Sequence, residues 1–122
     1  MTENGSWPNR RKYPRLSVNL PVTYSVSGTK KALKPREDRL ITIGAGGGFI
    51  QAKLTYPKDT KLKIEFSFEG RKIEAVASVR YAVPFVPKVG GVQYPGMGFE
   101  FVEVEEKQRA FIQNTISKIK EK

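Results

Sequence analysis

The chain is 122 residues long, has no cysteine and no histidine, and carries 22 Lys/Arg against 12 Asp/Glu, a formal net charge of +10. That length suits one domain with a single buried core and leaves no room for a second. The missing residue types exclude disulfides, thiolate metal sites, and the commonest general base and transition-metal ligand, so an enzyme is the least expected class.

No apolar run approaches the roughly 20 residues that a spanning helix needs, and Met1–Trp7 lacks the apolar core of a secretory signal. A soluble cytoplasmic protein without a membrane span is the expectation. The positive charge is weighted toward the front: residues 1–39 hold nine Lys/Arg against three acids, and residues 40–122 hold thirteen against nine. Such a field favours an anionic partner, whether nucleic acid, a phosphorylated ligand or a membrane surface.

Residues 1–9 are polar and aperiodic, contain Gly5 and Pro8, and read as a flexible N-terminal arm whose one anomaly is Trp7. The domain proper is expected to run from residue 10 to residue 122. It opens on Arg10-Arg11-Lys12-Tyr13-Pro14-Arg15, four cations within six residues. Pro14 biases Tyr13 toward extended backbone, so the cations are presented on an open segment and not on a helix face. Arginine offers a planar fork of donors that grips phosphate bidentately and stacks on purines, which suits a nucleotide-like anion; the alternative is a solvated basic segment before the first strand.

From Leu16 to Val26, apolar and polar residues alternate with the period of a half-buried strand; Pro21, on the polar face, costs a ladder bond and implies an edge, a bulge or a bend. Lys30 to Arg39 reads as a charged loop, and a second strand is expected over Arg39–Ile43. It ends in Gly44-Ala45-Gly46-Gly47-Gly48, where glycine serves either an unusual turn or the close approach of another group to the main chain. The run is neither a P-loop nor a dinucleotide fingerprint, because no Gly-Lys-Ser/Thr and no helix follows.

A third strand is expected over Phe49–Leu54. Leu62 to Phe68 and Ile73 to Tyr81 then alternate on either side of Glu69-Gly70-Arg71 and predict a hairpin with Ile73, Ala75, Ala77, Val79 and Tyr81 on one face. Pro84 to Gly91 is irregular, and Met97, Phe99 and Phe101 share one face of a last strand. Glu105 to Lys120 is the one convincing helix, with an apolar stripe of Phe111, Ile112, Ile116 and Ile119, acids at its start and lysines at its end. An all-β fold follows, a six-stranded antiparallel barrel with the C-terminal helix laid over one open end.

With these segments placed, the chain from Arg10 to Lys120 resembles the PilZ domain family. An Arg-x-x-x-Arg motif falls on Arg11 and Arg15 before the first strand, and the turn motif Asp/Asn-x-Ser-x-x-Gly falls on Thr42, Gly44 and Gly47. The resemblance implies a receptor for cyclic di-GMP, with Arg11 and Arg15 gripping phosphate and guanine and Arg10 as a third cation. With no cysteine or histidine, no metal and no cofactor beyond that ligand is expected, and a protein partner is the expected output. In the turn motif, Thr42 stands for the acid or amide and Gly44 for the serine, which reduces the side-chain acceptors to one hydroxyl. The alternative is a degenerate domain that binds no nucleotide and acts as a protein-interaction adaptor. Nucleic acid is a less suitable partner, because the aromatic residues alternate inward and leave few stacking platforms.

Overall fold

The computed structural model describes residues 14–27, 35–83 and 95–120. Arg10, Arg11, the arm with Trp7, most of the loop after Ser27, and Pro84 to Tyr94 lie outside them. The described residues form six strands and one helix: β1 (Arg15–Val26), β2 (Arg36–Gly44), β3 (Gly47–Gln51), β4 (Lys61–Phe68), β5 (Arg71–Val83), β6 (Gly96–Val104) and α1 (Glu106–Lys120). The strands close into an antiparallel barrel in the order β1-β2-β3-β6-β5-β4, with β4 returning to β1. The expected six-stranded barrel with a terminal helix is therefore what the chain forms.

Period-2 alternation explains the core. Val22 and Tyr24 of β1, Leu62, Ile64 and Phe66 of β4, and Met97, Phe99 and Phe101 of β6 all point inward and are buried. Closure leaves no sheet edge, so Pro21 is accommodated otherwise: it faces Arg39 on the exposed outer surface, beside a register irregularity between Ser17 and Leu20. The β4–β5 hairpin turns through Glu69 and Gly70, whose φ angles of 48° and 82° are both left-handed, as a two-residue turn matched to strand twist requires.

Helix α1 places Ile112 and Ile116 fully in the core. Phe111 meets Phe68 edge-on at 6.3 Å, and the Arg71 guanidinium sits 4.4 Å from the Phe111 ring centre. Gln108 adds polar ties, its side-chain amide donating to the Lys72 carbonyl and accepting from the Glu74 N–H. The helix thus lies at the barrel end that holds the β4–β5 turn, with Ile119 at its rim 37% exposed. No helix among the described residues is long and apolar enough to cross a membrane.

Three expectations are corrected. Strand β2 begins at Arg36 and not Arg39, because Arg36 and Asp38 find partners at the barrel rim while Glu37 and Arg39 face solvent. Strand β3 spans Gly47–Gln51 and not Phe49–Leu54; only Ala45 and Gly46 form the turn before it. Tyr81 is not on the inner face: a bulge at Arg80, between the pairs Val79↔Phe99 and Tyr81↔Gly98, turns it outward to 48% exposure.

Candidate functional site

Strand register brings the described motif residues, Arg15, Thr42, Gly44 and Gly47, into two adjoining rows on the outside of the barrel. Arg15, the first residue of β1, pairs with Gly44, the last of β2; Gly44 pairs with Gly47, and Gly47 with Glu100. Two residues along, a second row runs Ser17, Thr42, Phe49, Gly98, Tyr81 across five strands. Side chains two apart on a strand share a face, so Arg15 and Thr42 stand on the same surface in neighbouring rows. Between Arg15 and Glu100 the first row carries only glycine, and both glycines are buried beneath neighbouring chain.

The glycines answer to the close approach of the protein's own backbone. A side chain on Gly47 would collide with the Phe99 carbonyl of β6. The turn itself is pinned by the Phe101 N–H donating to the Gly46 carbonyl at 2.8 Å. At Gly44 a Cβ would lie 2.7 Å from the Pro14 carbonyl oxygen and 3.1 Å from Cγ of Arg15. The Arg15 stem therefore runs directly against Gly44.

Of the six residues the motifs single out, Arg15, Thr42, Gly44 and Gly47 come together here, while Arg10 and Arg11 lie outside the described residues. Arg15 and Thr42 are half-buried, and Gly44 and Gly47 are buried. Glu100, at the far end of the glycine row, is paired with Arg80 at 3.7 Å. Both partners are about half exposed, so the pair contributes little to stability but offsets the carboxylate's charge beside the patch. A groove on the β4–β5 side is lined by Glu74, Glu103 and Glu105 with Lys63, and that charge balance suits no phosphate.

A second polar cluster, which alternation alone did not reveal, sits at the opposite end of β1 and β2. The Tyr24 hydroxyl donates to Asp38 Oδ2 at 2.6 Å. Arg36 lies 5.3 Å from the centres of both the Tyr24 and Tyr56 rings and donates through Nη2 to the Leu54 carbonyl at 2.6 Å. Burial, then the hydrogen bond to Asp38, push the Tyr24 phenol well above its usual range. Burial works against the Arg36 charge, yet Tyr56 and Tyr24 together hold it above its ordinary value. Each cation and hydroxyl is satisfied internally, so the cluster clamps the Ala52–Thr60 connection to the barrel. Its only signal in the sequence was Arg36 and Asp38 continuing the inward alternation of Leu40.

A small closed antiparallel barrel with a C-terminal helix, bearing the Arg15–Gly44 row on its outer surface, defines the fold class. The family model for the PilZ domain matches residues 9–118, and the chain belongs to that family. Among solved structures, the chain is similar to the Bacillus subtilis inhibitor of motility MotI/DgrA, with a TM-score of 0.71 and 18% identity over 91% of this chain and 51% of that one. It is also similar to the PilZ domain of Escherichia coli YcgR solved with c-di-GMP, with a TM-score of 0.67, 16% identity and 92% of both chains covered. MrkH, described as a c-di-GMP-dependent transcription regulatory factor, gives a TM-score of 0.66 and 13% identity over 90% of this chain and 51% of its own. The chain thus spans about half the length of MotI/DgrA and MrkH, and identities this low speak to fold alone. No curated protein sequence matches the chain.

Proposed function

We propose that the protein is a cyclic di-GMP receptor, a binding module and not an enzyme, in which the basic segment from Arg10 to Arg15 and the β2–β3 turn form the ligand site. The register pairing of Arg15 with Gly44, with Thr42 in the adjoining row, is the observation that carries this reading. It sets the Arg15 side chain on the outer face one row from the Thr42 hydroxyl, a donor fork beside an acceptor, which suits a phosphate or the acceptor edge of a guanine. Membership of the PilZ family and the c-di-GMP seen with the YcgR domain support the choice of ligand.

In this reading Arg10 and Arg11 join Arg15 around the ligand, which draws the opening segment onto the barrel and changes the surface presented to a partner protein. Isothermal calorimetry with cyclic di-GMP tests it: the wild type is expected to bind and Arg15→Ala to lose most of the heat. No heat from the wild type would sink the receptor reading. The adaptor reading would then stand, and the closure of Pro14 onto Gly44, which leaves no room for a serine, is the observation that favours it.

A further inference from the structure

Between β3 and β4 the chain turns an apolar side chain out to water. Leu54 is 71% exposed, the most open large hydrophobic residue among the described ones. A lone exposed leucine is ordinary on a surface, but this connection is tied down at nearly every second residue. The Ala52 N–H donates to the Pro95 carbonyl at 2.9 Å, and the Leu54 carbonyl accepts from Arg36 Nη2 at 2.6 Å. The Tyr56 N–H meets Met97 Sδ at 3.2 Å, and the Asp59 N–H donates to the Val79 carbonyl at 2.7 Å. The polar cluster of Tyr24, Arg36 and Tyr56 thus helps to fix the backbone of a leucine whose own side chain is left in solvent. Lys53 and Lys58, both exposed, flank it in the same connection, with Asp59 as the one acid there.

A feature of opposite character lies on β5 and β6. The groove there, of about 550 Å³, has an apolar floor of Ala75, Val76 and Val104. Its rim carries Glu74, Glu103 and Glu105, with Lys63 as the cation among the lining residues. Lys72 partly answers Glu74 at 4.0 Å, whereas Glu103 and Glu105 have no ion pair among the described residues. Val102, bulged out of β6 between the pairs Val76↔Glu103 and Ala77↔Phe101, adds an exposed apolar residue beside Glu103. Leu54 does not line this groove. Glu103 stands seven residues beyond Gly96, the β6 partner of Gln51, about 20 Å along the strand. The leucine and the groove are therefore separate surfaces of one molecule.

The two surfaces are complementary, an apolar knob flanked by lysines against an apolar floor rimmed by carboxylates. A net charge of +10 opposes association of two copies, so any contact between them has to form where the local sign reverses, and the groove supplies that reversal. We propose that the protein self-associates head to tail, with Leu54 and its flanking lysines of one copy seated in the Glu74, Glu103 and Glu105 groove of the next. Such a contact is heterologous: each assembly keeps an open knob at one end and an open groove at the other, and it grows with concentration. The contact uses neither Arg15 nor the glycine turn and is independent of the receptor reading. One leucine and a few exposed ion pairs make a small interface, for which a dissociation constant between about 1 μM and 1 mM is expected.

Sedimentation velocity on the full chain without nucleotide, from about 10 μM to 1 mM, tests the proposal with two variants. Leu54→Asp spoils the knob, and the double variant Glu103→Lys/Glu105→Lys spoils the groove. All three positions are exposed, and circular dichroism checks that each variant is folded. The wild type is expected to reach a weight-average mass beyond that of a dimer, while each variant alone stays a monomer. Mixed, the variants retain one intact knob and one intact groove between them and should form a dimer that grows no further. A wild type that stays monomeric throughout overturns the proposal, as do variants that associate like the wild type or a mixture that stays monomeric. Leu54-dependent pelleting with phosphatidylglycerol vesicles by a wild type that remains monomeric also overturns it, and assigns the leucine to a membrane surface.

Discussion

Arg15 and Gly44 are partners across the β1–β2 ladder, and the arginine stem runs against the bare side of the glycine. The Pro14 carbonyl oxygen would be 2.7 Å from any Cβ there, closer than real Cβ atoms come to another group. Gly44→Ser, which restores the family's usual residue, is therefore expected to cost about 1–3 kcal/mol through overpacking against rigid backbone. Urea unfolding reads this as a lower midpoint with an unchanged slope. A midpoint equal to that of the wild type would show that the Pro14 peptide yields without cost.

Thr42 faces outward one row from Arg15 and has no such neighbour problem, so it is the cleaner position at which to rebuild the motif. An aspartate adds acceptor oxygens for guanine N–H groups, and a hydrogen bond to a charged group is worth about 1.5–3 kcal/mol. Thr42→Asp is expected to tighten cyclic di-GMP binding about tenfold or more by calorimetry. Unchanged affinity would mean that the guanine N–H groups are met elsewhere.

Most of the fold was legible because alternation and turn chemistry agreed along the chain. Leu62 to Phe68, the Glu69-Gly70 turn and the inward run of Met97, Phe99 and Phe101 needed no tertiary information. The pairing of Arg15 with the glycine turn was legible only through spacing and resemblance, since which strands meet is not written in any one segment. Tyr81 was misplaced for a physical reason: a one-residue bulge inverts every side chain beyond it, and a strict period of two places the ring in the core. The signal that could have corrected it is Gly98, an outward glycine in a strand, which marks a site where something else lies close to the main chain. The Arg36 and Asp38 cluster was hidden because charged residues resemble a loop until their partners, Tyr24, Tyr56 and the Leu54 carbonyl, are brought to them by closure of the barrel.

Tyr24 gives the fold an alkaline limit. Its phenol is raised in the folded state by burial and by Asp38, whereas an unfolded chain ionises tyrosine near pH 10. Above that pH the unfolded state binds fewer protons than the folded state, so this contribution is complete below about pH 10 and is lost as pH rises toward the folded value. Denaturant melts from pH 8 to pH 11 are expected to show stability falling by up to about 1.4 kcal/mol per pH unit beyond the tyrosine value. Tyr24→Phe flattens that decline, and parallel declines in the two proteins would remove Tyr24 as the cause.

Helix α1 is held chiefly by Ile112 and Ile116, both fully buried against the barrel. Ile112→Ala removes a buried side chain at a close-packed junction and is expected to cost about 2–5 kcal/mol. Ile119→Ala, at the exposed rim, serves as the control and should change stability by less than about 0.5–1 kcal/mol. Equal effects at the two positions in a urea titration would contradict the placement of the helix.

The most direct test of the account is chemical-shift mapping on the ¹⁵N-labelled protein as cyclic di-GMP is added. The largest amide shifts are expected at Arg15 to Ser17, Thr42 to Phe49 and Gly98, the two outer rows of the β1-β2-β3-β6 surface, and they should vanish in Arg15→Ala. Shifts that cluster instead around Tyr24, Arg36 and Tyr56, or a spectrum the ligand leaves unchanged, would contradict it.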